Sequence, residues 1–436
     1  MISGADGRIS RVRYVLPRHK AANWVGPGRG RRLRKCQWPG YPLSPVIRHP
    51  EVIAMEMSHT FRSLLCILVL LALSPKQVAA QSPGTIRLDS PLDWQVVQRH
   101  SAATGTVAVR GGSQAIEQLE VRFEGAGASA EAWQRVPLAA DGSFTTTIEL
   151  PAGGWYRCTV RGFGGGNVLT ETDVAKVGVG EVFVVAGQSN SANHGEQQLQ
   201  PASGKVVSFD GVRWQAANDP QPGASGGGGS FLPPLGDGLA ERFGIPIGFV
   251  ACGIGATSVR EWLPAGASFP DPPTLTGRVR HVPDGRWESD GAAYAMLLER
   301  MKSIGSGGFR AVLWHQGESD ANQQDPTRTL PGELYREYLT TLITTSRRDI
   351  GKASPWFVAQ ASYHVPGDEA SPDIRAAQAA VCSEGTALAG PDTDSLTMEW
   401  REAGGQGVHF SGLGLKEHAR LWLEKLAPWL DGQLGR

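Results

Sequence analysis

Cysteine is scarce in this sequence: 436 residues contain only five. Cys36 and Cys66 fall in the first 80 residues, so only Cys158, Cys252 and Cys382 remain in the rest of the chain, which allows one disulfide at most and leaves a free thiol. No CxxC pair or Cys/His cluster has the spacing of a zinc site. These absences argue against a disulfide-stapled scaffold and a zinc site, and we predict that the protein needs no metal and no cofactor.

Long apolar runs are also missing. The run 64–73 has ten residues, too few to span a bilayer comfortably. It follows Arg62 and precedes small residues that end at Ala80, a pattern typical of a signal peptide over residues 55–80 with cleavage before Gln81. We therefore expect a secreted or periplasmic protein without a stable membrane anchor.

Positive charge is scarce after the first 80 residues. Residues 81–436 carry 29 Lys and Arg against 39 Asp and Glu, a formal charge of −10, and so acidic a chain is not a general nucleic-acid binder. The zero net charge of the whole sequence hides this, because residues 1–80 are basic. Residues 1–54 are rich in Arg, Pro and Gly without periodicity, and we interpret them as an untranslated or disordered leader before a start at Met55 or Met57.

Residues 82–175 have the pattern of an all-β domain. About seven short segments rich in β-branched and aromatic residues are separated by Gly, Asp and Ser turns. This spacing predicts an immunoglobulin-like β-sandwich, which we interpret as an accessory domain. Its tryptophans suit either core packing or stacking on sugar rings: Trp94, Trp133 and Trp155.

Residues 179–436 have the pattern of a second, α/β domain. Five apolar strand candidates alternate with five amphipathic helix candidates, which predicts a parallel sheet covered by helices on both faces. Ligands of such folds bind outside the carboxyl ends of the strands. The Gly-rich stretch 223–234 is predicted to be a loop that borders this site.

Four segments at the ends of these elements carry groups suited to acyl transfer. Ser189 ends the first strand, Gly255 and Gln316 follow two later strands, and His409 precedes the last helix. A serine hydroxyl is a poor nucleophile until a base takes its proton, and His409 is the candidate base. The backbone N–H groups of Ser189 and Gly255 and the side-chain amide of Gln316 are candidate donors to the developing oxyanion.

Each of these segments also has an alternative interpretation when it is taken alone. A serine in a strand-ending turn, such as Ser189, is usually structural, and Gly255 can serve close packing. His315 and Glu318 could alternatively bind a metal ion together with Asp320. The enzymatic interpretation depends on the four segments meeting in one domain.

The motifs GQSN, GATSVREW, WHQGESD and GVHF resemble the conserved blocks of SGNH-type (GDSL-like) carbohydrate esterases, in particular the sialate O-acetylesterase and acetylxylan esterase group. The resemblance covers about residues 179–430. It implies a three-layer α/β/α, flavodoxin-like fold and serine-dependent removal of acetyl groups from sugars. By position, it implies Ser189 as the nucleophile, His409 as the base, and Gly255 and Gln316 as oxyanion donors.

The resemblance does not identify the acid that orients His409. Many SGNH enzymes have Asp three residues before the catalytic histidine, and this chain has Gln406 there. We predict Glu318 as the acid, because it follows a central strand at the site. Asp394 is the alternative, ahead of its neighbour Asp392.

Together these features predict a secreted serine esterase that removes O-acetyl groups from carbohydrates through an acetyl-serine intermediate. The alternative is a noncatalytic glycan-binding protein that keeps the fold. Arg260 is a candidate for binding a sugar carboxylate, and Trp262 is a candidate for stacking on a sugar ring. Neutral acetylated xylan and charged O-acetyl sialic acid both remain open as substrates.

Overall fold

The computed structural model describes residues 84–125, 132–305 and 307–435. The predicted leader (1–54) and signal peptide (55–80) lie outside these ranges. Within the described ranges, no helix combines the length and the apolar character that a membrane span needs.

Strands occupy most of the described residues before position 188. They are β1 (Thr85–Ser90), β2 (Gln95–Gln98), β3 (Thr104–Gln114), β4 (Gln118–Glu124), β5 (Gln134–Val136), β6 (Ser143–Pro151), β7 (Gly153–Gly164) and β8 (Asn167–Gly187). β3 pairs antiparallel with β1 and β6, and β4 pairs antiparallel with β5 and β7. Apolar side chains of β3 and β6 share one hydrophobic cluster with those of β4 and β7, so the two groups of strands bury one face against each other.

Strand β8 belongs to both parts of the fold. Its first part pairs with β7 and β2, and its last part pairs in parallel with β11 (Ile247–Ala251) and β15 (Ala311–His315). Every residue from Val177 to Gly187 is buried. A continuous buried run is typical of a strand covered on both faces, so this end of β8 lies in the middle of the molecule.

The sheet continues on both sides of β8 in the order β10-β9-β11-β8-β15-β16-β17. The further strands are β9 (Val206–Phe209), β10 (Trp214–Ala216), β16 (Trp356–Gln360) and β17 (Leu388–Asp392). Neighbours along this path are parallel except β10 and β9. The predicted α/β class is confirmed, but the sheet is large and mixed rather than purely parallel.

Helices cover both faces of this sheet. α2 (Ala292–Ser303), α3 (Gly332–Ile350) and α4 (Pro372–Ser383) share a hydrophobic cluster with Val184 and Val312. α1 (Leu232–Phe243) and α6 (Gly412–Gln433) share another with Val185 and Leu313. Because successive residues of a strand point to opposite faces, the two clusters lie on opposite sides of the sheet. These five helices match the five helix candidates of the sequence; a single turn, α5 (Glu402–Gly405), was not predicted.

A small antiparallel sheet lies between α1 and α2 along the chain. It consists of β12 (Ser268–Phe269), β13 (Val279–His281) and β14 (Trp287–Ser289). Strands of two or three residues have no measurable period in the sequence, which is why the pattern did not predict them.

A buried ion cluster joins the two parts of the fold at β8. Glu181 accepts hydrogen bonds from Arg99 Nε (2.7 Å), Arg310 Nε (2.7 Å) and Gln98 Nε2 (2.8 Å). The side chains of Arg99 and Glu181 are fully buried. A buried carboxylate is tolerated when such donors compensate its lost hydration, so one acid holds the end of β2 against the start of β15.

We expect Glu181→Gln to lower the free energy of unfolding by about 3–5 kcal/mol, because it leaves two arginines without their common counter-charge in a buried site. Urea denaturation followed by circular dichroism measures this loss. The matched control is Glu120→Gln, which breaks the partly exposed pair with Arg161 and is expected to cost less than about 1 kcal/mol. Equal losses in the two variants would show that the cluster at Glu181 has no special importance.

Candidate active site

The carboxyl ends of β8, β11 and β15 open onto a cleft of about 650 Å³. Ser189 follows β8, Gly255 follows β11, Glu318 follows β15, and His409 precedes α6. All four residues line the cleft, at the edge where parallel α/β sheets bind ligands. The fold thus brings together four of the residues that the sequence singled out.

Ser189 stands in a turn that requires glycine before it. Gly187 has φ +128°, and a Cβ at this position would lie 2.0 Å from the backbone oxygen of His315. The chain then enters a 3₁₀ turn, in which Ser191 N donates to Gln188 O. Neither the hydroxyl nor the backbone N–H of Ser189 has a hydrogen-bond partner among the described residues, so both groups are available to a substrate.

His409 is held by a carboxylate that the sequence analysis did not identify. Its Nδ1 lies 2.7 Å from Glu402 Oε1, and its backbone N–H donates to the same oxygen at 3.1 Å. A ring whose Nδ1–H donates to a carboxylate presents Nε2 as the acceptor when it is neutral. The pair Glu402–His409 therefore has the hydrogen-bond arrangement of a base and its orienting acid.

The loop between these two residues reverses the chain. Glu402 N donates to the backbone oxygen of His409 at 2.9 Å. The three residues after Glu402 all have positive φ: Ala403 +52°, Gly404 +66° and Gly405 +91°. The left-handed conformation is costly for most residues and mild for glycine, so the sequence Ala-Gly-Gly permits a reversal that brings an acid back to a histidine seven positions later.

The prediction that Glu318 orients His409 is therefore corrected. Glu318 Oε1 accepts from Asn190 Nδ2 at 2.9 Å and lies 3.8 Å from His315 Nδ1. The alternative, Asp394, is also engaged elsewhere: it accepts from the backbone and hydroxyl of Ser362. Glu402 lies neither at the end of a strand nor at position 406, so the sequence analysis did not identify it. The small residues that follow Glu402 were a signal for a chain reversal.

Glu318 instead belongs to a set of contacts that fixes the backbone beside His409. The backbone oxygen of Val408 accepts from Asn190 Nδ2 at 3.2 Å and from Arg401 Nη1 at 2.7 Å. Both lone pairs of that oxygen are then used. Because Glu318 holds the Asn190 amide from its other side, it positions the loop of the base without touching the base itself.

The predicted oxyanion donor Gly255 lies in the cleft, but its N–H is already engaged. It donates to Ser225 Oγ at 2.6 Å, and the same hydroxyl lies 3.1 Å from His194 Nε2. Ser225 and His194 also line the cleft. The predicted loop 223–234 thus borders the site at Ser225, although its last three residues belong to α1. The contributions of Ser225 and His194 were not predicted.

His194 packs beside the base, with the two ring centroids of His194 and His409 5.3 Å apart. Burial lowers the pKa of His194, and the neighbouring His409 lowers it further. His194 is therefore neutral near pH 7, and its ring places no second positive charge beside His409 when that base takes up a proton.

The prediction of Gln316 as an oxyanion donor is corrected. Its side chain is fully buried and does not line the cleft. Nε2 donates to Asp320 Oδ2 at 2.7 Å and also faces Thr257 O (3.1 Å) and Gln188 Oε1 (3.3 Å). Since Nε2 carries two hydrogens for three acceptors, it has none left for a substrate.

The predicted substrate-binding residues are also corrected. Arg260 is buried and donates to Asp320 and to the backbone oxygens of Asp271 and Arg328. Trp262 is fully buried and packs edge-on against Trp314. Neither side chain lines the cleft, and both are buried in the protein interior. Neither residue is therefore placed to contact a substrate in this cleft.

The alternative metal interpretation of His315, Glu318 and Asp320 is not supported by the geometry. The Asp320 carboxylate accepts from Ser258 Oγ and from the backbone of Val259, as well as from Gln316. Across the described part of the chain, no group of three or more His, Cys, Asp or Glu residues is arranged to hold a metal ion.

A family model matches more than half of this chain. The model of a family described as "SASA: Carbohydrate esterase, sialic acid-specific acetylesterase" matches residues 179–404. No curated protein gives a significant match.

Three solved structures are similar to this chain. A carbohydrate acetylesterase from Xanthomonas citri has a TM-score of 0.49 and 19% identity, with 78% of this chain and 74% of that chain covered. NanS has a TM-score of 0.40 and 16% identity, with coverages of 58% and 98%. A protein from Arabidopsis thaliana has a TM-score of 0.38 and 20% identity, with coverages of 57% and 96%.

We expect Gly407→Ala to break the bond between Glu402 and His409 while leaving the fold intact. A Cβ at Gly407 would lie 2.2 Å from Glu402 Cγ, and the partly exposed Glu402 side chain can rotate away into solvent. Proton NMR checks this as the loss of the downfield Nδ1–H resonance of His409. The matched control is Gly432→Ala in α6, where a Cβ meets no atom within 4 Å; an unchanged resonance in both variants would contradict the assignment.

Proposed function

The chain belongs to the family of carbohydrate esterases described as sialic acid-specific acetylesterases, and from this we propose that it is a serine esterase whose nucleophile is Ser189. It is a carbohydrate O-acetylesterase, and its substrate is an acetylated carbohydrate. The observation that carries the serine mechanism is the hydrogen bond between Glu402 and His409, because His409 lines the same cleft as Ser189.

In the first half of the proposed reaction, Ser189 Oγ attacks the carbonyl carbon of the acetyl ester. His409 Nε2 takes the hydroxyl proton, and Glu402 stabilises the resulting imidazolium through Nδ1. The tetrahedral intermediate then collapses with cleavage of the bond to the sugar oxygen. That oxygen leaves as a hydroxyl with the proton from Nε2, and acetyl-serine remains.

The second half repeats these roles with water. His409 Nε2 takes a proton from the water as its oxygen attacks the acetyl carbon of acetyl-serine. Collapse of the second intermediate returns the proton to Ser189 Oγ and releases acetate. No group besides the three side chains and the oxyanion donors is needed for this sequence.

The oxyanion donors are proposed by asking which N–H and O–H groups of the cleft have a hydrogen that no protein atom accepts. The N–H of Ser189 has no partner among the described residues, as required of a donor that waits for a substrate. Gly255 acts through Ser225, whose hydroxyl accepts its N–H. When His194 Nε2 also donates to this hydroxyl, both lone pairs of Ser225 are used and its own hydrogen is available to the oxyanion.

The alternative of a noncatalytic glycan-binding protein was based on the absence of an acid at position 406, which is Gln. Glu402 provides a carboxylate to His409 from a different position in the same loop, so this reason no longer holds. The finer fold assignment remains a proposal: we interpret residues 179–436 as a three-layer flavodoxin-like SGNH domain, supported by the hydrophobic clusters on both faces of its sheet.

The region before it is proposed to be an immunoglobulin-like accessory domain over residues 82–175. The shared core of its two groups of strands supports this. Its tryptophans are engaged by protein groups, which favours a structural role over sugar binding: Trp94 packs against Trp155, and Trp133 lies beneath the guanidinium of Arg161.

Hydrolysis of p-nitrophenyl acetate tests the mechanism. The wild-type protein is expected to release p-nitrophenol, and Ser189→Ala is expected to abolish this activity. Glu402→Gln is expected to lower kcat by roughly 10²–10⁴, because an amide cannot stabilise the imidazolium. The matched control is Glu318→Gln, which keeps an oxygen for Asn190 and is expected to reduce kcat less than about tenfold. A larger loss in Glu318→Gln than in Glu402→Gln would return the acid role to Glu318.

We also propose export of the protein, on the pattern of residues 55–80 alone. Expression of the whole sequence in a secreting host is expected to give a mature protein whose amino-terminal sequence begins near Gln81. Recovery of an intact Met1 from the culture medium would contradict both the signal peptide and the leader interpretation.

A further inference from the structure

The cleft has one strongly basic residue in its wall. Among the described residues that line it, Arg278 is the only Lys or Arg, and Glu318 is the only Asp or Glu. The backbone of Arg278 is fixed, because its oxygen accepts from Asp290 N at 3.0 Å and the next residue, Val279, pairs with Ser289. The guanidinium therefore comes from a fixed backbone position in the wall of the cleft that Ser189 also lines.

The guanidinium of Arg278 is only lightly engaged by the protein. Its one contact is from Nη1 to Glu261 Oε1, at the long distance of 3.4 Å, and 36% of the side chain is exposed. Four of its five N–H donors therefore have no acceptor among the described residues. Arg260 provides the contrast, because it is buried and its donors are taken by Ser258, Asp320 and backbone oxygens.

Glu261, the acid beside Arg278, neutralises the positive charge of the guanidinium only in part. Burial raises the pKa of Glu261 to about 7. Near neutral pH a sizeable fraction of Glu261 is therefore uncharged, and Glu261 neutralises the positive charge of Arg278 only in part. The carboxylate of Glu318, which also lines the cleft, repels an anion, so an anionic group of a substrate is favoured at Arg278 and disfavoured near Glu318.

We propose that Arg278 binds a carboxylate of the sugar that carries the acetyl ester, which makes it the residue that selects anionic over neutral acetylated sugars. The planar guanidinium matches a carboxylate with two parallel N–H···O bonds. The proposal rests on the proposed function, because it names the substrate class of the same cleft. It replaces Arg260, which the sequence suggested for this role.

The test uses two substrates that differ at the carboxyl group alone: an O-acetylated sialoside, which is an anion, and its neutral carboxylate methyl ester. Acetate release gives kcat/KM for each. The wild-type protein is expected to prefer the free acid by more than about tenfold (about 1.4 kcal/mol), because only the free acid accepts charge-assisted hydrogen bonds from the guanidinium. A wild-type ratio near one overturns the proposal whatever the variants show.

Variants then locate the effect. Arg278→Met is expected to lower the ratio of the two kcat/KM values by about 10–100-fold, mainly through KM for the free acid, and Arg278→Lys is expected to retain part of the preference. The matched control is Arg280→Met, which removes an exposed arginine that is bonded to Glu288 on the same small sheet and does not line the cleft. It is expected to leave the ratio unchanged.

Two failures are distinguishable. If the wild-type protein hydrolyses p-nitrophenyl acetate and Ser189→Ala does not, the proposed function stands, and an unchanged ratio in Arg278→Met refutes only the role of Arg278. If Ser189→Ala remains fully active, the serine mechanism fails independently of which sugar is preferred.

Discussion

The structure depends on the continuity of β8. This strand pairs with β7 and β2 in its first part and with β11 and β15 in its last part, and it delivers Ser189 at its end. The charge of Glu181 is buried where the two parts meet, between Arg99 and Arg310. The proposed nucleophile, Ser189, is therefore positioned by both sheet regions, and the strands before it are part of the framework of the cleft.

The proposed base, His409, is positioned by a loop rather than by the end of a strand. His409 precedes a helix, and its acid comes from the same short loop rather than from a neighbouring strand. Different residues hold the ring and the backbone of this loop. Glu402 orients the ring of His409, whereas Arg401 and Asn190 donate hydrogen bonds to the backbone oxygen of Val408. The ring orientation and the backbone position thus have separate supports, one partly exposed and one buried.

The sequence predicted the features that follow from hydrophobic periodicity and the residues that lie at the ends of the predicted strands. Five strands and five helices followed from hydrophobic periodicity, and the ends of the strands brought Ser189 and Gly255 to one cleft. The direction of an individual side chain has no such signature. Gln316, Arg260 and Trp262 lie in the right segments but point into the protein, where Asp320, buried between them, takes up the polar groups of the first two.

Loops were the other source of error. Glu402 and Arg278 occupy segments whose course is set by positive φ angles or by strands of two to three residues, and neither leaves a periodic trace in the sequence. The charge at Arg278 is assigned to the cleft only because the small sheet of β12, β13 and β14 is known. Composition gave no means of distinguishing it from the buried Arg260.

The reversal between Glu402 and His409 has a consequence for how such an enzyme can change. The acid and the base lie within eight consecutive residues, closed by the pairing of Arg401 with Phe410. Because both partners come from one loop, the proposed acid can change its position within that loop while the strands that carry Ser189 stay the same. The acid is then not restricted to the three-residue interval, and this chain keeps a carboxylate at His409 although position 406 is Gln.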